Sequence, residues 1–91
     1  MKKAYLIKVS GRVTGVGFRY GALQEAEKYP GLKGYVRNVG YGEVEALLQG
    51  DADEVSLMLD WFKKGPRFAH VEDITVEELA LDDKLQEFDI K

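Results

Sequence analysis

The sequence predicts an α+β fold in which two helices cover one face of a mostly antiparallel sheet of four to five strands. The first observation is the order of apolar patterns: segments of period 2 and of period 3.6 follow one another as strand, helix, strand, strand, helix, strand. The second is the length of 91 residues, which suits one hydrophobic core. The third is that no repeat, linker or low-complexity segment interrupts the chain, so we expect residues 1–91 to form a single domain.

The first third of the chain indicates a strand, a loop and a helix. Residues 4–10 indicate a strand that places Tyr5, Ile7 and Val9 on one face. Residues 11–17 contain three glycines and follow neither period, so we predict a loop. Residues 18–29 place alanine and leucine on one face and glutamine, glutamate and lysine outward. This pattern predicts a helix that Pro30 ends.

A β-hairpin is predicted next. Residues 33–39 form its first strand, and residues 43–49 form its second strand with valine, alanine and leucine at alternate positions. The Gly-Tyr-Gly segment at 40–42 is a tight connection between them. The two strands are therefore expected to pair.

The second helix has the clearest signals of any element. Asp51 is a suitable N-cap residue, and Glu54 follows three positions later as in a capping box. Gly65 and Pro66 end the helix after about fourteen residues at roughly 1.5 Å each. The apolar side chains follow the i, i+3, i+4, i+7 pattern at Val55, Met58, Leu59 and Phe62.

Two further strands complete the predicted sheet. Residues 71–79 alternate isoleucine and valine with threonine and glutamate, but Val71 is out of phase and indicates a bulge or a later start. Residues 88–90 suggest a short closing strand. Two βαβ halves with right-handed crossovers give the ferredoxin-like βαββαβ arrangement. Many functions share that fold, so the fold alone does not indicate one.

Composition narrows the classes of function. The net charge is −3 and the pI is about 5.1, whereas nucleic-acid-binding proteins usually present a basic surface. The absence of cysteine excludes a disulfide framework and a thiolate metal site, and it fits a reducing compartment. No stretch has the length of a signal-peptide core or a membrane span. We expect a cytosolic protein without nucleic-acid or membrane partners.

The segment 11–19 carries the chemistry. Its glycines permit φ > 0, so that backbone amides can point into one concavity, and the start of the helix adds unpaired donors. Arg19 falls in the first helical turn, where its guanidinium leans back over the loop and can bind two phosphoryl oxygens at once. A phosphate is a natural ligand of such a site. A plain strand-to-helix turn with a surface arginine fits the local sequence equally well.

Two motifs together resemble those of the acylphosphatase family. Residues 11–19 match its signature as G-x-V-x-G-V-G-F-R, and residues 34–38 match its second motif as G-Y-V-R-N, followed by G-x-V-E at 42–45. The resemblance covers nearly the whole chain in the same element order. Three positions differ from the residues common in that family: Thr14 replaces glutamine, Tyr35 replaces tryptophan and Tyr41 replaces aspartate.

The resemblance implies both the activity and the site. Arg19 and Asn38 are the implied catalytic residues: Arg19 binds the phosphoryl oxygens with the loop amides, and Asn38 positions the attacking water. The implied phosphate-binding residues are Thr14, Gly15, Val16, Gly17, Phe18 and Arg19. The implied ligands are a small acyl phosphate and inorganic phosphate. We expect neither a metal nor a cofactor, and a monomer.

The residue types agree with that activity. Residues 11–19 contain no histidine, cysteine or serine nucleophile, and no general acid is evident among them. An acyl phosphate leaves as a carboxylate whose conjugate acid has a pKa of about 4, so its departure needs no proton. Positioning and electrostatic stabilisation can therefore suffice. Asn38 ends a strand that lies two positions from the first strand in this fold, roughly 10 Å away, which leaves room for a phosphoryl group and a water.

Two other functions share parts of the pattern. RNA-recognition modules have the same topology, and residues 33–35 match the opening of their signature octet, but residues 36–38 do not continue it. A module of the same family that binds phosphate without turnover has the same loop. Phosphate binding without hydrolysis would indicate that second function.

Overall fold

The computed structural model describes all residues from Met1 to Lys91. Its strands and helices follow the order that the apolar patterns predict. They are β1 (Lys2–Arg12), α1 (Phe18–Ala26), β2 (Lys33–Asn38), β3 (Glu43–Asp51), α2 (Ala52–Lys64), β4 (His70–Leu79) and β5 (Phe88–Ile90). Neither helix combines the length and the apolar character that crossing a membrane requires.

The strands form one sheet in the spatial order β4-β1-β3-β2-β5. All pairs are antiparallel except β2 with β5, which is parallel. Both helices contact the sheet and each other, so they lie on the same face. The predicted ferredoxin-like arrangement is confirmed. β2 lies two positions from β1, which separates these strands by roughly 10 Å.

The hydrophobic core lies between the sheet and the two helices. Alternate residues of β1, β2 and β3 enter it together with one face of each helix. Its largest fully buried side chains are Phe18, Phe62, Ile7, Leu48 and Met58. Burying one such side chain stabilises the fold by roughly 1.5–3 kcal/mol. Because β1, α1 and β2 share this core, the ends of these elements are held at fixed positions relative to one another.

Helix α1 ends at Ala26, earlier than the predicted residue 29. The amides of Lys28 and Tyr29 donate to carbonyl groups only three residues earlier, at 3.1 and 2.9 Å. Such bonds close a tighter turn than an α-helix does. The helix cannot continue through Pro30, because proline has no amide hydrogen to donate and disfavours the α conformation of the residue before it.

Helix α2 begins and ends as predicted, but its predicted capping box is wrong. Asp51 is the N-cap residue, yet its side chain forms no capping hydrogen bond. Asp51 is also the last residue of β3, where it pairs with Lys2, and the amide of Ala52 donates to the carbonyl of Met1 at 2.9 Å. The strand runs directly into the helix, so the backbone of the N-terminus takes part in the helix start.

A β-bulge interrupts the pairing of β1 with β4, as the out-of-phase Val71 indicates. Ser10 pairs with Asp73 and Gly11 pairs with Val71, which leaves Glu72 as an extra residue on β4. Bulges bend a strand and increase its twist locally. This bulge lies where β1 leads into the glycine loop, so it contributes to the direction in which the chain enters the candidate site.

Candidate active site

The loop between β1 and α1, residues 13–17, turns through two glycines in the left-handed region. Gly15 has a φ of 72°, and Gly17 has a φ of 76° and a ψ of 24°. Gly17 is the N-cap residue of α1 and has no side chain with which to cap it, and no acidic residue lies in the first turn. The first amides of α1 therefore have no side-chain acceptor within the loop. Together with the positive end of the helix dipole, they form a site for an anion.

Buried side chains hold the loop at both ends. Val13 is 1% exposed and Phe18 is 2% exposed. The ring of Phe18 contacts Trp61 and Phe62 edge to face, with centroid distances of 5.3 and 5.6 Å. Each such aromatic pair contributes about 0.5–1.5 kcal/mol beyond the area that it buries. The start of α1 is therefore fixed on α2, and the loop amides keep their directions.

Gly65 supports this anchor, and its replacement by alanine is expected to destabilise the fold. Its φ of 74° and ψ of −177° belong to a region that only glycine adopts readily. An added Cβ would lie 2.7 Å from a ring carbon of Phe18. We expect Gly65→Ala to lower the free energy of unfolding in urea by about 1–3 kcal/mol.

The matched control is Gly31→Ala. Gly31 is not in the left-handed region, and the nearest atom to an added Cβ is 4.0 Å away. We expect its free energy of unfolding to change by less than about 0.5 kcal/mol. Equal losses in the two variants would contradict the role given to Gly65.

Arg19 and Asn38 border the same cavity, which has a volume of about 220 Å³. Gly15, Gly17 and Phe18 border it too. The guanidinium of Arg19 forms no ion pair and no side-chain hydrogen bond within the chain, and neither does the carboxamide of Asn38. Both groups are free to bind a ligand, and the planar guanidinium can donate to two oxygens.

Two of the six predicted phosphate-binding residues do not border this cavity. Thr14 and Val16 lie in the same loop, but neither is among the residues of the cavity wall. Val16 is partly buried and packs against the hydrophobic core. The assignment of these two residues to phosphate binding stays a prediction.

Three further residues of the cavity wall were not among the predicted site residues. Val13 precedes the glycines, Tyr20 follows Arg19 in the first turn of α1, and Ile90 belongs to β5. The sequence could have indicated Tyr20 as a site residue, because it directly follows Arg19. Ile90 pairs with Val36, two residues before Asn38, so only the pairing of β5 with β2 brings it to the site.

An ion-pair network on the other face of the sheet supports the strand that carries Asn38. The carboxylate of Glu45, which is 7% exposed, accepts from Arg37 at 2.7 Å and from the hydroxyl of Tyr35 at 3.2 Å. Burial, and then the nearby charge of Glu45, raise the pKa of Tyr35, so the phenol stays protonated and donates. Arg37 pairs with Glu45, and the next pair along the two strands is Asn38 with Val44. The network therefore joins β2 to β3 beside the site.

No group of three or more histidine, cysteine, aspartate or glutamate side chains is arranged to hold a metal ion. His70, the single histidine, is exposed at the start of β4, where it pairs with Arg12. It does not border the cavity that contains Arg19 and Asn38.

Comparison with known proteins gives consistent matches over nearly the whole chain. The acylphosphatase family model matches residues 5–90. An acylphosphatase of Burkholderia thailandensis is 42% identical over 86 residues, which cover 94% of this chain and 87% of the relative.

Solved structures give the same result. The acylphosphatase of Bacillus subtilis superposes with a TM-score of 0.90 at 38% identity, covering 100% of this chain and 99% of that one. Full-length HypF, solved in a phosphate- and nucleotide-bound form, superposes with a TM-score of 0.88 at 28% identity, but the match covers only 12% of its chain. Family model, relatives and fold agree, so this chain belongs to the acylphosphatase family of enzymes, hydrolases that act on the anhydride bond of acyl phosphates.

Proposed function

We propose that this chain hydrolyses acyl phosphates to a carboxylate and inorganic phosphate by in-line attack of a water that Asn38 holds. The observation that carries the proposal is the shared cavity: an unpaired guanidinium, an unpaired carboxamide and the uncapped start of α1 all border it. We assign this activity to residues 1–91 as one domain. The cytosolic location and the monomeric state stay predictions from the sequence.

The phosphoryl group binds between Arg19 and the glycine loop in this proposal. The guanidinium donates to two phosphoryl oxygens, and the loop amides donate to the same group. Amide donors held in place by a rigid fold stabilise the charge that develops in the transition state without having to reorganise. The residues that we assign to phosphate binding are Thr14, Gly15, Val16, Gly17, Phe18 and Arg19.

Asn38 positions the nucleophile. Its carboxamide can accept a hydrogen bond from a water and donate one to it, which aims the water oxygen at phosphorus. The water oxygen forms a bond to phosphorus, the bond from phosphorus to the acyl oxygen breaks, and its electron pair leaves on the carboxylate. A phosphoryl oxygen takes the proton of the water in this scheme, because no other base lines the cavity.

The leaving group explains why the chain can work without an acid. A carboxylate is stable at neutral pH, since its conjugate acid has a pKa of about 4. An alkoxide leaving group would need a proton or a metal ion. The proposed substrates are therefore mixed anhydrides, and alkyl phosphate monoesters are expected to be poor substrates.

The first experiment is hydrolysis of benzoyl phosphate at neutral pH, with and without EDTA. We expect turnover at the same rate in both, and competitive inhibition by inorganic phosphate, because the product binds the same loop. A strong loss of rate with EDTA would contradict the metal-independent mechanism. Turnover that phosphate fails to inhibit would contradict the placement of the site.

A non-catalytic phosphate-binding module is the alternative function. It is favoured by the likeness of this chain to a small part of the much longer HypF, which was solved with phosphate bound. Phosphate binding without hydrolysis of benzoyl phosphate would support this alternative. Thr14→Gln, which restores the residue common in the family, would then test whether the loop alone prevents turnover.

A further inference from the structure

We infer that Glu45 is a positioning residue for the reaction: it fixes the end of β2, and thereby the direction in which the carboxamide of Asn38 points. This inference rests on the proposed function, because it describes how the assigned role of Asn38 is supported. Glu45 does not border the cavity, and neither do its partners Arg37 and Tyr35. None of the three contacts a ligand bound there, so their effect on the reaction is indirect.

The carboxamide of Asn38 depends on the backbone for its position. It forms no side-chain hydrogen bond within the chain, so no neighbouring side chain orients it. Asn38 is also the last residue of β2, directly before the connection at 39–42. A displacement of this strand end would carry the carboxamide with it. The aim of the proposed water therefore depends on how firmly the end of β2 is held.

The sheet holds this end of β2 from one side only. In an antiparallel pair, residues that exchange hydrogen bonds with the partner strand alternate with residues that do not. The amide of Gly34 and the carbonyl of Val36 form bonds on the side of β5, at 3.0 and 2.9 Å. Alternation turns the backbone groups of Asn38 to that side as well, but the pairing of β5 with β2 ends at Val36. The neighbours of Asn38 must therefore hold it through their bonds to β3.

Arg37 and Glu45 are the neighbours that do so most strongly. By the same alternation they are the last hydrogen-bonded pair of β2 and β3 before Asn38. Beyond Asn38, only the amide of Val39 donates to β3, at 2.9 Å. The side chains of Arg37 and Glu45 add an ion pair of 2.7 Å across the two strands. Hydrogen bonds between charged groups are about twice as strong as neutral ones, so this ion pair locks the end of β2 onto β3.

The first test compares Glu45→Ala with a matched control, Gln49→Ala. Gln49 lies on the same face of β3, is 8% exposed where Glu45 is 7% exposed, and also forms two side-chain hydrogen bonds. It pairs with Lys33, at the opposite end of β2 from Asn38. We expect Glu45→Ala to lower kcat roughly tenfold or more and to change the inhibition constant of phosphate less than about threefold. Gln49→Ala should change neither, at a temperature at which both variants are folded.

The second test separates position from charge. Glu45→Ala removes a negative charge and Arg37→Ala removes a positive one, so a long-range effect of charge would change the rate in opposite directions. We expect both variants to lower kcat, because each breaks the same ion pair. Glu45→Gln keeps an oxygen that can accept from Arg37, so its kcat should lie between those of the wild type and Glu45→Ala. It also serves the same comparisons if Glu45→Ala does not fold.

The third test is a double-mutant cycle between Glu45 and Asn38. If Glu45 acts through the carboxamide, its replacement should matter little once the carboxamide is gone. We expect Glu45→Ala to lower kcat less than about twofold in the Asn38→Ala background. A general structural role would give the same loss of kcat in both backgrounds.

The outcomes separate this inference from the proposed function. An unchanged kcat in Glu45→Ala, an equal loss in Gln49→Ala, opposite changes in Glu45→Ala and Arg37→Ala, or additive losses in the cycle would each overturn the inference and leave the activity standing. An unchanged kcat in Asn38→Ala would overturn the role of Asn38 in the proposed function, and the inference with it. No turnover of any acyl phosphate by the wild type would overturn both.

Discussion

Replacing Arg19 with alanine is expected to lower kcat/KM for acyl phosphate hydrolysis by at least about 10³-fold, since single arginines that stabilise phosphoryl transfer contribute roughly 10³–10⁵. The substitution removes the only ionised side chain in the cavity wall. It also removes the only guanidinium there, which is the group that can donate hydrogen bonds to two phosphoryl oxygens at once. The loop amides would remain, but they carry no full charge. Steady-state kinetics with benzoyl phosphate measures the loss.

Phosphate inhibition checks the cause of that loss. Because inorganic phosphate binds the same guanidinium in this proposal, its inhibition constant should rise in any variant that retains measurable turnover, and its affinity measured by calorimetry should fall in Arg19→Ala. Arg19→Lys keeps the charge without the planar fork, so we expect intermediate values in both measurements. Retained phosphate affinity in Arg19→Ala would count against the assigned site.

Stability should not change with these substitutions. Arg19 forms no ion pair with another side chain, so its removal leaves no buried partner unpaired. We expect the same urea midpoint for Arg19→Ala and the wild type. A large shift would mean that the loss of activity reports unfolding and not chemistry.

Replacing Asn38 with alanine is expected to lower kcat by about 10²–10³-fold and to change phosphate inhibition little. That magnitude is typical of removing one preorganised hydrogen-bonding group from an active site. Asn38 lies on β2, whereas the assigned phosphate donors lie on the loop before α1 and in its first turn, so the two functions should separate. Without the carboxamide, water still reaches the cavity, but nothing aims it at phosphorus.

Asn38→Asp is the matched comparison because it preserves the shape of the side chain and changes its chemistry. A carboxylate accepts from the water but cannot donate, and its charge repels the phosphoryl group. We expect Asn38→Asp to lose kcat as well and also to weaken phosphate inhibition, which the alanine variant should not do. Equal losses of kcat and of phosphate affinity in Asn38→Ala would show that Asn38 binds phosphate and does not position the water.

Local patterns in the sequence determined most of the secondary structure. The apolar periods identified every strand and both helices, because the direction of a side chain depends on the conformation of its own segment. They also indicated the bulge, since Val71 breaks the alternation. The errors lie at the ends of elements: β1 continues through Gly11 and Arg12, which were predicted as loop, α1 closes early in a tighter turn, and Asp51 does not cap α2. Those ends depend on hydrogen bonds with neighbours, which periodicity does not describe.

The sequence by itself also determined the two motifs that contain Arg19 and Asn38, and the absence of a titratable nucleophile beside them. Only the tertiary structure decided that these side chains border one cavity, because that depends on β2 lying two positions from β1 in the sheet. It also decided that Tyr20 and Ile90 complete the wall. Ile90 reaches the site through the parallel pairing of β5 with β2, which joins residues more than fifty positions apart, as Val36 and Ile90 are. Contacts over such separations arise from the packing of the whole sheet, so no local pattern could reveal that Ile90 borders the cavity.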